Sequence, residues 1–489
     1  MAHVLVVGAG LAGARTCTAL RAAGYTGRLT LVGAEPDAPY DRPPLTKDPG
    51  AEVDLRPAMG IDVWAAADDV RLGVAARGLV AGSRGSRVLV DGGELTADAV
   101  VIATGATPVV PADWTGPGVH VLSTRRQAGA FWERVGPGTS LVVVGGGWIG
   151  SEAAATAASR GADVRLLEAA DQLLPGRLPA AVAARVSGWL AEAGVQVGMG
   201  APVRSLAPDS REPSVSVDGG SLAADLVLVA LGVRPATAWL EGGPLALAPS
   251  GAVLVDAWGR TGVPGVLAVG DAAARWSSRS GRHLASGHWT EALNAPQVVA
   301  PEVVRWLATG AWTVGEPSAD TGGIPDAVPY VFSEIAGRTL QVLGEAGEGP
   351  GEGADERAGG GPGEGPGFEG ADEGALGRRL VWRESSEGWS AFCLDEGDHL
   401  RGVVGAGRPR DIVMARRAIA GAAGWPLAEP GALADPQAAA SVMFPAGSGP
   451  RDNGPRDDRA RDEGARDEGA RDEGARDDGA RDDGARMAG

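Results

Sequence analysis

Val4-Leu-Val-Val-Gly8-Ala-Gly10-Leu-Ala-Gly13 reads as a short β-branched strand, a glycine turn and the start of a helix, and the pattern returns as Leu141-Val-Val-Val-Gly145-Gly-Gly147-Trp-Ile-Gly150. Each copy continues into an alanine-rich helical stretch, to about Ala23 and about Ser159. An apolar run follows each, Leu29-Thr-Leu-Val and Val164-Arg-Leu-Leu. Strands buried on both faces between helices belong to parallel sheets, so the two copies predict two β–turn–α–β units. The glycine spacing has physical content. Gly8 and Gly145 permit the tight turn, Gly10 and Gly147 let backbone approach a pyrophosphate, and Gly13 and Gly150 allow close packing of helix on strand. The helix N-terminus then presents oriented N–H groups and a positive dipole end to the phosphates. Glu35 and Glu168, 22 and 18 residues past the last glycine of each motif, are placed to accept hydrogen bonds from ribose hydroxyls. The chain thus carries two dinucleotide sites.

Further out, Ala99-Val-Val-Ile-Ala-Thr-Gly105 and Leu226-Val-Leu-Val-Ala-Leu-Gly232 are apolar strands, each ending in a glycine loop of similar kind. Short strands follow Pro235 and reach Gly265-Val-Leu-Ala-Val-Gly-Asp271. From Pro329 the pattern is β-rich: Val331 and Phe332, Leu340 to Leu343, Leu380 to Trp382, Trp389 to Phe392, then a helix around Ile412 to Ala423. Residues 345–377, with 13 Gly and nine acids against one Arg, interrupt what reads as an antiparallel hairpin, so a long solvent loop is predicted there. From residue 446 the chain becomes an Arg-Asp-Glu-Gly-Ala repeat. Its five-residue period fits neither helix nor strand face, and it reads as a disordered, solvating tail.

These appendages explain most of the charge. Of the formal −18, residues 345–377 and 451–489 supply −8 and −4. No basic cluster compensates, which argues against a nucleic-acid partner. Two cysteines far apart, Cys17 and Cys393, exclude a disulfide framework and a cysteine-rich metal site, and the five histidines show no ligand spacing. No run approaches the roughly 18 apolar residues of a membrane helix, and the first residues enter a strand with no basic leader. A cytoplasmic protein with no membrane partner is expected. Two adjacent dinucleotides imply hydride passing from a nicotinamide to a flavin. Glu168 would repel a 2′-phosphate, favouring NADH over NADPH, although an arginine such as Arg177 could compensate. Lys47, in Tyr40-Asp-Arg-Pro-Pro-Leu-Thr-Lys47, is the only lysine in the chain. Keeping one compact ammonium where arginine serves everywhere else points to a role that a planar guanidinium does not fill.

The chain resembles FAD-dependent pyridine-nucleotide reductases, specifically the ferredoxin reductases that serve bacterial oxygenases. The shared patterns are Gly8–Gly13 with Glu35, Arg42-Pro43-Pro-Leu-Thr-Lys47, Ala103-Thr104-Gly105, Gly145–Glu152 with Glu168, Gly232-Val-Arg-Pro235, Val269-Gly-Asp271 and His288-Trp289. The resemblance implies an α/β fold of two Rossmann-like dinucleotide-binding domains (glutathione-reductase-like) and a C-terminal α+β domain. It divides the chain into 1–112 and 243–325 for FAD, 113–242 for NAD(H), 326–445 as a C-terminal interface domain, and the tail 446–489. It implies FAD contacts from Gly8, Gly10, Leu11, Ala12, Gly13, Glu35, Arg42, Pro43, Lys47, Ala103, Thr104, Gly105, Arg125, Asp271 and Trp289. The NAD contacts would be Gly145, Gly147, Trp148, Ile149, Gly150, Glu152, Glu168 and Gly232. Lys47 would sit near flavin N5 and pair with Glu152 beside the nicotinamide; Trp289 would lie against the isoalloxazine. Asp271, read as opening a helix, would bind the ribitol or simply cap that helix. The segment from Pro39 to Pro49 lacks the cysteines of disulfide reductases, so electrons would leave the flavin directly, singly, to an iron–sulfur ferredoxin. The resemblance departs at Gly287, usually acidic, and at Phe332, often tryptophan. By themselves the residues leave the acceptor open among a ferredoxin, a quinone, a radical or oxygen. They also leave open a redox-sensing scaffold, and a monomer or a homodimer.

Overall fold

The computed structural model describes residues 1–48, 50–82, 85–208, 213–285, 287–314, 328–347, 379–422 and 424–445. The expected tail and most of the acidic segment 345–377 therefore lie outside the described residues.

The first glycine motif stands at the centre of a five-stranded parallel sheet. Its strands run Val266–Ala268, Ala99–Ile102, His3–Val7, Arg28–Gly33 and Asp69–Leu72 in spatial order. Val4 to Val6 are fully buried because helices cover one face and an apolar cluster around Leu79, Val88 and Val253 covers the other. The second motif repeats the arrangement, with Gln196–Gly198, Asp163–Leu167, Ser140–Val144, Leu226–Val229 and Val119–His120 in parallel. In both units the helix follows its central strand at once, Leu11–Ala22 and Trp148–Ser159, with Gly10 and Gly147 as N-caps. Neither N-cap has a side chain to satisfy the first-turn N–H groups, and those donors are free for an anion. Gly8 at φ +116° and Gly145 at φ +107° hold the turns in backbone space that other residues avoid.

The third sheet is antiparallel, in the order Tyr330–Ile335, Arg338–Gly344, Leu400–Ala406, Gly388–Leu394, Arg379–Ser385, with the helix Pro409–Gly421 packed on it. Here the expected hairpin is wrong. The strands on either side of the acidic segment do not pair: Arg338–Gly344 is second in the sheet and Arg379–Ser385 is its outer edge. Asp271 also departs from expectation. It sits in a single 3₁₀ turn, Gly270–Ala272, and the chain then enters the strand Ala273–Ser277 rather than a helix. The N-cap alternative for that aspartate therefore falls.

Candidate functional site between the two glycine loops

A cavity of about 340 Å³ opens where both units and the third sheet meet. It gathers Gly8, Gly10, Leu11, Ala12, Arg42, Pro43, Lys47, Ala103, Thr104, Gly105, Asp271 and Trp289 from the first set of expected residues, with Trp148, Ile149 and Glu152 from the second. The remaining expected residues lie off it. Gly13 and Gly150 are packed behind their turns, where a Cβ would come within 1.8 Å of the Gly8 carbonyl oxygen and 1.9 Å of the Gly145 one. Glu35 accepts a 2.6 Å bond from the Tyr40 hydroxyl and pairs with Arg42 at 2.5 Å. Arg125 is tied to Asp54. Glu168 accepts the Gly146 N–H at 2.6 Å and the Ala170 N–H at 2.9 Å, which plants its carboxylate beside the second glycine loop. Gly145 and Gly147 form that loop, and Gly232 bends the facing one at φ +94°.

At the cavity wall the lone lysine meets the buried acid: Lys47 Nζ lies 3.1 Å from Glu152 Oε1, with the side chains 17% and 7% exposed. The short helix Pro44–Lys47, started by Pro43 and Pro44, delivers Lys47; the helix after the second glycine motif delivers Glu152. Two hydroxyls not singled out from sequence complete the cluster, Thr46 Oγ1 donating to Glu152 Oε2 and Ser333 Oγ to Glu152 Oε1, each at 2.5 Å. Thr46 belongs to a recognised motif. Ser333 lies 181 residues from its partner and carries no local signal.

Trp289 is locked from two sides. Its Nε1 donates to Asp41 Oδ1 at 2.7 Å, and its ring meets Phe332 edge-on with centroids 5.7 Å apart. Burial pushes the Asp41 carboxyl above its ordinary range, against the opposing pull of the Trp289 bond. Burial does the same to Asp271, opposed by Arg42. His288 also lines the cavity, and its imidazole is pushed down to about 4 by burial, reinforced by the Arg177 charge. Neutral His288 thus stabilises the fold fully only above its unfolded value of 6.5. Between there and 4 the unfolded chain binds the extra proton, so stability falls with pH. The cofactor-free protein is expected to lose about 2 kcal/mol from this group as the pH drops from neutrality to about 5, and His288→Asn should remove that part of the slope in urea midpoints. Equal slopes for the two proteins would refute it.

The residues present fit a flavin. Space beside Gly10 is open for 4 Å where a Cβ would stand, so the loop is a cradle rather than a packed turn. Thr104 Oγ1 is buried with no partner, and Asp271 lines the same cavity. Orphaned polar groups on a cavity wall mark where a ligand completes the pairing. Trp148 Nε1, on the other wall, is likewise buried and unpartnered.

Residues 2–295 match the family model for pyridine nucleotide-disulphide oxidoreductases, and the chain belongs to that family. It is an oxidoreductase that works with FAD and a pyridine nucleotide. Among relatives, it is 36% identical over 357 residues to the ferredoxin reductase component of chlorobenzene dioxygenase from Cupriavidus sp. (strain PS12), covering 72% of this chain and 82% of that one. It is 33% identical to the ferredoxin–NAD(+) reductase subunit of the benzene 1,2-dioxygenase system of Pseudomonas putida, with the same coverage. Among solved structures, that of Fdr9 superposes with a TM-score of 0.72 at 34% identity, covering 90% of this chain and 99% of that one. The covalent putidaredoxin reductase–putidaredoxin complex does so at 0.71 and 26%, covering 89% and 96%. No described helix is long and apolar enough to cross a membrane.

Proposed function

We propose that this chain takes hydride from NADH onto bound FAD and passes the electrons one at a time to a ferredoxin that serves an oxygenase, in the cytoplasm. The observation that carries this reading is the Lys47–Glu152 pair on the wall of a cavity lined by the first glycine loop and by the helix that follows the second, with neither cysteine among the lining residues. A thiol relay is thereby left out of the route. FAD, when bound, supplies acceptance of electrons in a pair and release singly. The protein's part is to hold, orient and dry the site.

In this reading the first glycine loop, Thr104 and Asp271 bind the FAD, and Trp289, fixed by Asp41, bounds the ring. Gly147 and Glu168 hold the NADH. The carboxylate of Glu168, already placed by two backbone donors, favours ribose hydroxyls over a 2′-phosphate. Lys47 supplies a positive charge in a water-poor site, where its effect on developing negative charge is largest. The relatives named as ferredoxin reductase components of dioxygenase systems support the acceptor.

The test is anaerobic mixing of the holoprotein with NADH and with NADPH, followed by turnover with a panel of ferredoxin, quinone and oxygen. Rapid bleaching by NADH, slower bleaching by NADPH and turnover fastest with ferredoxin are expected. Faster turnover with a quinone or oxygen would overturn the acceptor assignment.

A further inference from the structure

Glu152 has more partners than an ion pair needs. It is 6% exposed, and Ser333 (1%) and Thr46 (5%) are as deeply buried. Thr46 reaches Glu152 at 2.5 Å and the Pro43 carbonyl only at 3.2 Å, so its single hydroxyl hydrogen goes to the charged acceptor. The cluster joins three parts of the fold: Thr46 and Lys47 donate from the short helix of the first unit and Ser333 from the strand Tyr330–Ile335 of the third sheet, while the acceptor Glu152 stands on the helix Trp148–Ser159 of the second unit.

An isolated buried pair would be rigid, because withdrawing the ammonium strands a carboxylate without compensation. Here it is not isolated. If Lys47 turns away, both oxygens of Glu152 keep a hydroxyl donor. The ammonium has no other polar partner among the described residues beyond the Phe332 ring, 5.7 Å off, and it faces the cavity.

We infer that Thr46 and Ser333 are positioning residues for hydride transfer: their hydroxyls keep Glu152 partnered, so that Lys47 can exchange it for negative charge arriving in the cavity. This rests on the reading of Lys47 given above. The strand register makes the arrangement economical, since Ser333 points inward while Phe332 beside it is 38% exposed.

The single lysine makes the inference testable without relying on activity alone. Lysine labelled with carbon-13 at Cε gives one signal in the holoprotein, from Lys47. In the wild type this signal is expected to move when the flavin is reduced by dithionite. In Thr46→Val/Ser333→Ala the movement should be markedly smaller. The limiting rate of flavin reduction should fall about tenfold, as for loss of a hydrogen bond to a charged group. The NADH concentration giving half that rate should stay the same. Thr46→Ser and Ser333→Thr, which keep the hydroxyls, should restore both. Should the double variant fold poorly, the single variants Thr46→Val and Ser333→Ala carry the same measurement, each with a smaller effect than the pair, the two being coupled through their shared acceptor. A wild-type shift and rate in variants that retain FAD would reduce the two hydroxyls to packing and overturn the inference. Unchanged reduction in Lys47→Met would instead overturn the reading beneath it.

Discussion

Lys47→Met should slow reduction of the bound flavin by NADH about a hundredfold, the cost typical of removing one preorganised charged donor from a dry site, while FAD stays bound. Lys47 is not a structural residue in the usual sense. It makes one ion pair and one ring contact, and methionine has the length to keep the latter. The objection is that Glu152 loses a partner, so part of the effect could come from an unpaired carboxylate. Thr46 and Ser333 limit that cost, and the double variant Lys47→Met/Glu152→Gln separates the two. If stranding Glu152 were the cause, neutralising it would restore the rate; if the missing ammonium is the cause, the double variant stays slow. The second result is expected. Lys47→Arg should recover only part of the rate, because a planar fork cannot take the place of a compact ammonium reached through one wall of the cavity. Stopped-flow absorbance of the flavin decides all three.

The parts of this site legible in the sequence are those whose physics is local. Gly8 to Gly13 and Gly145 to Gly150 specify turn, helix start and cradle within ten residues each, and both folded as read. What misled was non-local. After Asp271 the run Ala272-Ala-Ala-Arg275 has helical composition, yet pairing with Val253–Val255 and Arg282–Leu284 draws it into a sheet, tertiary context overriding propensity. Arg338–Gly344 and Arg379–Ser385 each carry a sound strand pattern, but nothing in either records that Leu400–Ala406 and Gly388–Leu394 stand between them. Ser333 was illegible for the same reason. One serine in an apolar strand signals nothing until the fold sets it against a glutamate two modules away.

The glycines of one motif should fail in opposite ways when given a methyl group, and this contrast is the sharpest expectation for the site. Gly13 is inside a helix, where alanine ordinarily gains up to about 1 kcal/mol. A Cβ there would stand 1.8 Å from the Gly8 carbonyl oxygen and 3.0 Å from its carbon. Backbone cannot yield as a flexible side chain does, so the clash wins, and Gly13→Ala is expected to lose several kcal/mol with loss of the folded first unit. Gly10 differs in every respect. At φ −83° and ψ −170° it occupies backbone space open to any residue, and nothing stands within 4 Å of its would-be Cβ. Gly10→Ala should therefore fold and melt nearly like the cofactor-free wild type, yet bind FAD at least tenfold more weakly, since the methyl fills space the cradle keeps for the ligand. Gly147, in the same conformation and equally open, extends the contrast. Gly147→Ala should purify yellow, with full FAD, and show its defect only as a raised NADH requirement. Circular dichroism, flavin content and NADH titration of the three proteins read out folding, first site and second site separately. A colourless Gly147→Ala, or a Gly10→Ala that holds FAD as tightly as wild type, would mean that the two loops do not divide the coenzymes in this way.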